Sequence, residues 1–497
     1  MKGFHTMSRK IRPFWLMMMA ILFSNGLVFA TTPLITLTSP ANNSTSTSPV
    51  HFQATATSVG CSMGLSAIRV YSAPGVSAYT VAGGKLNAYL NLNAGTYNAT
   101  VVAWDNCGGT ASVNATVTAS GEKKIGGFLY TVNSAYNYGN QNENNVTGFS
   151  IVASNGALAP LLQGPVNTNI FPQSVASDKG GYRLYVGDWA SGDVFPYFID
   201  RSNGSLTPVP GAPFAVHRSV ATVAVHPSGE FIYAAGNEQA SGDGIAVFQL
   251  QSDGSLKEIP GSPFPTQIGP QALTVDPSGN YLYVADYSSF IEAFQINHST
   301  GALIEAPGSP YAISIPAVCN FGQGATADPS DILDVSGASI YTPDTFIGYI
   351  SGWSISSTNG SLTPMSGSPW IDQSGCYGGE PAPHSLAVDG TGKFLYVNSS
   401  SYVDGISIFS IASDGELTYV KTTGNNSGCA TPIRTDATGN YLYTGGCGAG
   451  APGNGSYESI VGYSINHTTG DITPLPTSPF VYASGTNAVI DTFTVTP

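Results

Sequence analysis

The chain has 497 residues, only 9 % of them charged, with 16 Lys and Arg against 30 Asp and Glu and a formal net charge of −14 at pH 7. That balance excludes nucleic acid as a partner, because polyanion binding draws its affinity from basic stripes. With so few charges, the surface must be built largely of Ser, Thr, Asn, Gly and Tyr, which suits a protein working outside the cytoplasm.

Residues 1–30 read as a signal peptide. Lys2, Arg9, Lys10 and Arg12 give a basic start, an apolar run follows from Phe14 to Phe23, and Val28-Phe29-Ala30 forms the cleavage site. An uncleaved anchor helix is the alternative, but the run is short for a bilayer and Ser24-Asn25-Gly26 interrupts it. No other stretch is long and apolar enough to span, so no membrane contact is expected after cleavage. Loss of four basic and no acidic residues would take the formal charge from −14 to −18. A secreted or periplasmic monomer is expected.

Residues 31–120 alternate polar and apolar positions in short runs such as VHFQATATS, SAIRVYS and TYNATVVAWD. About seven short strands with a turn every ten residues or so predict a β-sandwich. The run AIRVYS…LNLNAGTYNATVVAWDNCGG resembles the immunoglobulin-like modules fused to secreted bacterial proteins, and the resemblance makes Trp104 the core aromatic. Residues 121–125, which include Gly121-Glu122-Lys123-Lys124, read as a linker.

Residues 126–497 repeat one unit, seen most fully from Pro270 to Tyr311. Four apolar runs (ALTV, YLYV, IEAFQI, ALIEA) are separated by turn chemistry: DPSG, DYSS, NHSTG. The second strand recurs as FLYTV, RLYVG, FIYAA, YLYVA, SIYTP, FLYVN and YLYTG, spaced 47 to 58 residues apart. Five copies end in Ala-Pro or Ser-Pro plus an aromatic. Even spacing of four-stranded units predicts radial blades, each sheet burying its faces against two neighbours. The first copy starts at its second strand, and the run NAVIDTFTV from Asn487 is expected to supply its missing innermost strand, leaving no open edge.

The motifs ALTVDPSGNYLYVAD, IEAFQI, TGALIEAPGSPY, HSLAVDGTGKFLYVN and VAVHPSGEFIYAA resemble the lactonase family of seven-bladed β-propellers, which includes 6-phosphogluconolactonase and the fungal 3-carboxymuconate cyclase. The expected class is all-β: an immunoglobulin-like sandwich, then a seven-bladed propeller over residues 126–497, sealed by its C-terminal strand. The resemblance implies opening or forming a lactone with His and Arg at one mouth of the channel. A cationic or N–H donor must face the carbonyl oxygen that gains charge, and a His or carboxylate must take the proton of water. The propeller holds few cations: Lys179, Arg183, Arg201, Arg218, Lys257, Lys393, Lys421 and Arg434. Most fall at turns or strand starts. No RQxxPHxH stretch is present, which points away from a phosphosugar.

Function is expected where one copy departs from the others, at the loops entering the first strands. Alignment on the DPSG turn puts His384 where other copies have Gln271 and Thr431, with Glu380 close by in CYGGEPAPH. Arg434 falls in a row otherwise held by Thr274, Ala224 and Ala387; it reads either as an anion ligand in the channel or as the partner of an Asp on a neighbouring strand. His217 and Arg218 form a second candidate pair, or simply an exposed loop pair. His384 or His217 would be the base, and Arg434 or Arg218 the oxyanion or carboxylate ligand. Trp189 in GDWASGD and Glu380 are candidate substrate contacts, although Trp189 also suits a loop cap. His226 replaces the turn Asp and reads as structural. Nothing marks a cofactor, and DWASGD is not a calcium loop.

Six Cys in an exported chain suggest three disulfides. The positions of the loops favour Cys61–Cys107, Cys319–Cys376 and Cys429–Cys447, with free thiols as the alternative. Without a CxxC or a His pair, a metal site is not expected. Two functions fit: a hydrolase of a small-molecule lactone, or a non-catalytic propeller that binds a glycan or protein partner.

Overall fold

The computed structural model describes residues 32–497 apart from segments 74–75, 91, 121–124, 136–143, 169–170, 217–218, 237–243, 267–268, 287–288, 315–332, 336, 345–347, 372–382, 400–404, 424–431, 447–458, 477 and 482–487. All the regular structure of the described residues is β-strand. No helix among them is long and apolar enough to cross a membrane.

The N-terminal part folds as two facing sheets. One orders Leu34–Ser39, Val50–Thr57 and Lys85–Leu90; the other orders Ser44–Thr47, Thr110–Ser120, Gly95–Asp105, Leu65–Ala73 and Val76–Ala82. Strand alternation sends Val50, Phe52, Ile68, Val70, Val101, Ala103 and Val117 into one shared core. Trp104 is not in that core, contrary to expectation. Ala103 and Val101 take the inward positions, so Trp104 stands half-buried on the outer face. There the Arg69 guanidinium lies 5.5 Å from its ring, held by a 2.7 Å bond from Nε to Thr80 Oγ1. Cys61 and Cys107 are joined by a disulfide with an S–S distance of 2.09 Å. Asp105 fixes the adjacent turn by accepting the N–H groups of Cys107 and Gly109.

From Ile125 onward the described strands form seven antiparallel sheets. The Pro270 sheet shows the pattern: Pro270–Val275, Tyr281–Asp286, Phe290–Ile296 and Leu303–Glu305 lie side by side, with Tyr311–Ala312 also paired to the third strand. The fourth strand is thus broken in two. At the break Ser309 Oγ takes the N–H of Ala293 in place of a backbone carbonyl. Ser262, Ser368 and Ser478 do the same for Val247, Gly352 and Gly462. The proline bonds in all five copies of this signature are cis, from Ala212-Pro213 to Ser478-Pro479.

In four units the first turn is organised by an Asp: Asp178, Asp276, Asp389 and Asp436. Asp276 accepts the N–H of Tyr281 at 2.7 Å, and Asp389 and Asp436 accept those of Phe394 and Tyr441. Where His226 replaces the Asp, Nδ1 accepts the N–H of Ser228 and Nε2 donates to Gly279 O in the next sheet. The structural role expected of His226 is what these bonds show.

Sheets are tied to one another by the tyrosine of the second strand. Tyr130, Tyr283, Tyr341, Tyr396 and Tyr443 each donate a hydroxyl to a hairpin glycine carbonyl of the next sheet: Gly204, Gly360, Gly415, Gly470 and Gly156. Burial raises the pKa of the Tyr130, Tyr341, Tyr396 and Tyr443 phenols well above the ordinary value, so they remain proton donors.

The run expected to complete the first sheet does so. Ala488–Thr496 pairs antiparallel with Ile125–Ala135, matching Thr494 to Tyr130 and Thr496 to Phe128. The innermost strands then follow one another in a ring. Ala488–Thr496 lies beside Pro172–Ser177, followed by Thr222–Val225, Pro270–Val275, Leu333–Val335, Pro383–Val388 and Ile433–Thr435, which returns to Ala488–Thr496.

Candidate functional site

The ring of innermost strands brings together the polar residues that depart from the repeat. Four of these strands carry a bulge at one equivalent position. The register slips between Pro172 and Ser174, Pro270 and Ala272, Pro383 and Ser385, and Ile490 and Thr492. The residues left without a paired partner are Gln173, Gln271, His384 and Asp491. A bulge re-aims the side chain at the extra residue, a common device near functional centres. All four are polar, and all four are half-buried.

Arg434 stands one strand along from His384. Its Nη1 donates to Ser385 Oγ at 2.9 Å and to Ile433 O at 2.8 Å, and the same Ser385 oxygen receives the N–H of Ile433. The guanidinium is therefore anchored on the residue next to His384. The site thus holds an imidazole and a half-buried cation on neighbouring innermost strands.

Asp491 was not singled out from the sequence. Its Oδ2 is out of contact with water and accepts no hydrogen bond among the described residues. Burial pushes the carboxyl up from 3.8 to about 7, against the opposing pull of hydrogen bonds from the Ser134 side chain and backbone. The signal that could have found it was present: an acid inside the apolar run NAVIDTFTV, in the slot held elsewhere by Gln271 and His384.

Trp189 is half-buried, with its ring edge-on to Phe171 at 6.1 Å and its N–H donating to Phe171 O. Asp188 beside it is fully buried and accepts the N–H groups of Phe171, Ala190 and Ser191. The Asp188 carboxylate thus organises this loop. His217, Arg218, Glu380, Cys319, Cys376, Cys429 and Cys447 lie outside the described residues. Among the described residues, the close group of possible metal ligands is Cys61, Asp105 and Cys107, whose sulfurs are spent on the disulfide.

A second concavity, about 490 Å³, lies between the N-terminal part and the first sheet of the ring. Ala67, Tyr79 and Thr80 line one side, and Thr147, Leu161 and Gln163 line the other. Among the described residues, its lining contains no charged side chain.

A family model described as "Lactonase, 7-bladed beta-propeller" matches residues 207–315. A protein from Bacteroides fragilis provisionally named a 6-phosphogluconolactonase superposes with a TM-score of 0.57 at 17% identity, covering 76% of this chain and 100% of its own. Its counterpart from Bacteroides uniformis gives a TM-score of 0.56 at 17% identity, over 75% of this chain and 100% of its own. The periplasmic gluconolactonase of Pseudomonas aeruginosa gives 0.57 at 14% identity, over 74% and 99%. The fold is that of the lactonase β-propellers. No curated protein matches the sequence. The propeller accounts for nearly the whole length of these structures, and about a quarter of this chain lies outside the match.

Proposed function

We propose that the chain is an extracytoplasmic lactonase-type propeller that opens a lactone or related cyclic ester at one mouth of its central channel. In this reading residues 1–30 are a signal peptide, 31–120 an immunoglobulin-like sandwich, 121–125 a linker and 126–497 a seven-bladed propeller. The disulfide between Cys61 and Cys107 supports an oxidising compartment.

The observation that carries the reading is the anchoring of Arg434 on Ser385, the neighbour of His384. An imidazole can take the proton of an attacking water. A guanidinium N–H can stabilise the oxyanion that forms on the lactone carbonyl, and does so more strongly in a half-buried site than in water. His217, Arg218, Glu380 and Trp189 remain proposed contributors from the loops around the same mouth. The test is turnover of a broad lactone panel by the purified protein. His384→Ala and Arg434→Ala should each lower kcat/KM by at least a hundredfold, and wild-type rates equal to buffer would refute the reading.

The cleft between the N-terminal part and the propeller favours a second reading. Its uncharged lining of Tyr, Thr, Gln and small apolar residues suits a neutral glycan, and its volume lies in the range of ligand sites. A glycan array probed with wild type and Tyr79→Ala would separate a binding protein from an enzyme.

A further inference from the structure

Ala488–Thr496 seals the ring with an otherwise apolar and threonine-rich strand, yet places a carboxyl at its bulge. Burying an ionised carboxylate costs more free energy than burying an amide, the group that Gln173 and Gln271 place at the same position in two other sheets. Among the described residues, no cation offsets the cost here. The strands packed against it are Ile125–Ala135, Pro172–Ser177 and Ile433–Thr435. Arg434 is the sole charged residue on them, and its Nη1 is engaged with Ser385, Leu386 and Ile433. Tyr130, the other titratable group there, turns its hydroxyl away to Gly204. The Ser134 hydroxyl and N–H serve the Asp491 carboxyl, but Oδ2 receives nothing.

A buried carboxyl oxygen that accepts no hydrogen bond among the described residues, on one of the innermost strands of the ring, is a group waiting for a ligand atom. It occupies the same bulge position as His384, two blades along the ring through the blade of Arg434. We infer that Asp491 is the general acid of the channel, a catalytic residue that protonates the leaving oxygen of the substrate while His384 serves as base. This rests on the lactone reading and extends it. Water oxygen bonds to the carbonyl carbon as His384 takes one of its protons. The bond from that carbon to the ring oxygen then breaks, and the Asp491 proton passes to the departing alkoxide. The product is the hydroxy acid, and loss of the His384 proton and reprotonation of Asp491 by solvent restore the starting state. Burial keeps the acid protonated near neutrality, as this role demands.

The experiment compares wild type, Asp491→Asn and Asp491→Ser on two lactones, one releasing an aliphatic alcohol and one a phenol. A phenolate departs without help, so general acid catalysis matters little to it. We expect the wild-type kcat/KM on the aliphatic lactone to fall above pH 7. Asp491→Asn should lose that limb and about a hundredfold or more in rate at pH 6, with less than a tenfold loss on the phenolic lactone. The serine variant should behave alike, which guards against a misfolded asparagine variant; melting curves at pH 6 establish that both are folded. Equal losses on both lactones, or an unchanged pH profile in a folded variant, would overturn the inference and leave the lactone reading intact. Wild type that opens neither lactone would overturn the reading itself, and the inference with it.

Discussion

The hydroxyl of Tyr443 donates to the carbonyl of Gly156 at 2.7 Å, joining residues 287 apart in sequence. It is the same bond that Tyr396 makes to Gly470 in the preceding sheet, but here it connects the last sheet to the first. Tyr443→Phe should destabilise the propeller by about 1–3 kcal/mol, because the buried Gly156 oxygen is left without its donor. The hydroxyls of Tyr185 and Tyr233 are buried without a partner among the described residues. Tyr185→Phe and Tyr233→Phe should therefore be neutral or slightly stabilising. Urea unfolding of the three variants distinguishes a ring of specific bonds from a general preference for tyrosine.

The glycine that receives such a bond is constrained twice. Gly470 has φ of +74°, and a Cβ there would stand 2.5 Å from Cδ1 of Phe394. Gly470→Ala should cost about 2–4 kcal/mol through backbone strain and overpacking together. Gly229, also at positive φ (+75°) but with open space around it, should lose only the backbone share, about 1 kcal/mol. Thermal melts of the two variants measure the difference.

Asp491 makes the propeller's stability depend on pH in a direction opposite to most carboxylates. Its folded pKa, about 7, lies above the unfolded value of 3.8. The native state therefore holds the proton more tightly, and the contribution of Asp491 to stability is greatest below pH 4. That contribution falls as pH rises toward 7 and levels off beyond, by on the order of 4 kcal/mol. Asp491→Asn should flatten that slope and raise the melting temperature at pH 8 but not at pH 4. An unaltered slope in the variant would mean that the carboxyl is solvated.

The placement of Trp104 on an outer face has a direct check. Phe52, 1 % exposed, sits in the core shared by the two N-terminal sheets, and Phe52→Ala should cost about 3–5 kcal/mol. Trp104→Ala removes a half-buried ring and its contact with Arg69, and should cost about 1–2 kcal/mol. Denaturant unfolding of residues 32–120 followed by circular dichroism, against the same measurement for Phe52→Ala, reads both.

The repeats were legible because each strand is bracketed by residues whose chemistry defines a turn. Asp276, Pro277 and Gly279 announce one, and the Asp carboxylate indeed takes the N–H of Tyr281. The sealing strand was legible as an apolar run left over after the last copy. Trp104 was misplaced because TVVAWD has apolar residues at both parities, so alternation could not choose a face and the large ring outweighed Ala103. The broken fourth strand was visible only as a recurrent Ser-Pro, because the N–H that Ser309 captures belongs to a strand about sixteen residues earlier. Asp491 escaped because its position depends on a bulge, and a bulge is set by pairing with Ile125–Ala135, more than three hundred residues away. Arg434 stood out from its row of small residues, but neither of its two expected roles anticipated the bond to Ser385.

The partner of Ile125–Ala135 is the last strand of the chain, and Thr496 and Phe128 are 368 residues apart. A nascent chain therefore spends most of its synthesis with the edge of that early strand bare. Any chaperone that accompanies it, or any second copy that meets it, finds a vacant seat for a strand until Ala488–Thr496 is delivered. Exchange of that strand between two molecules would give a dimer joined at the hub without altering a single native contact.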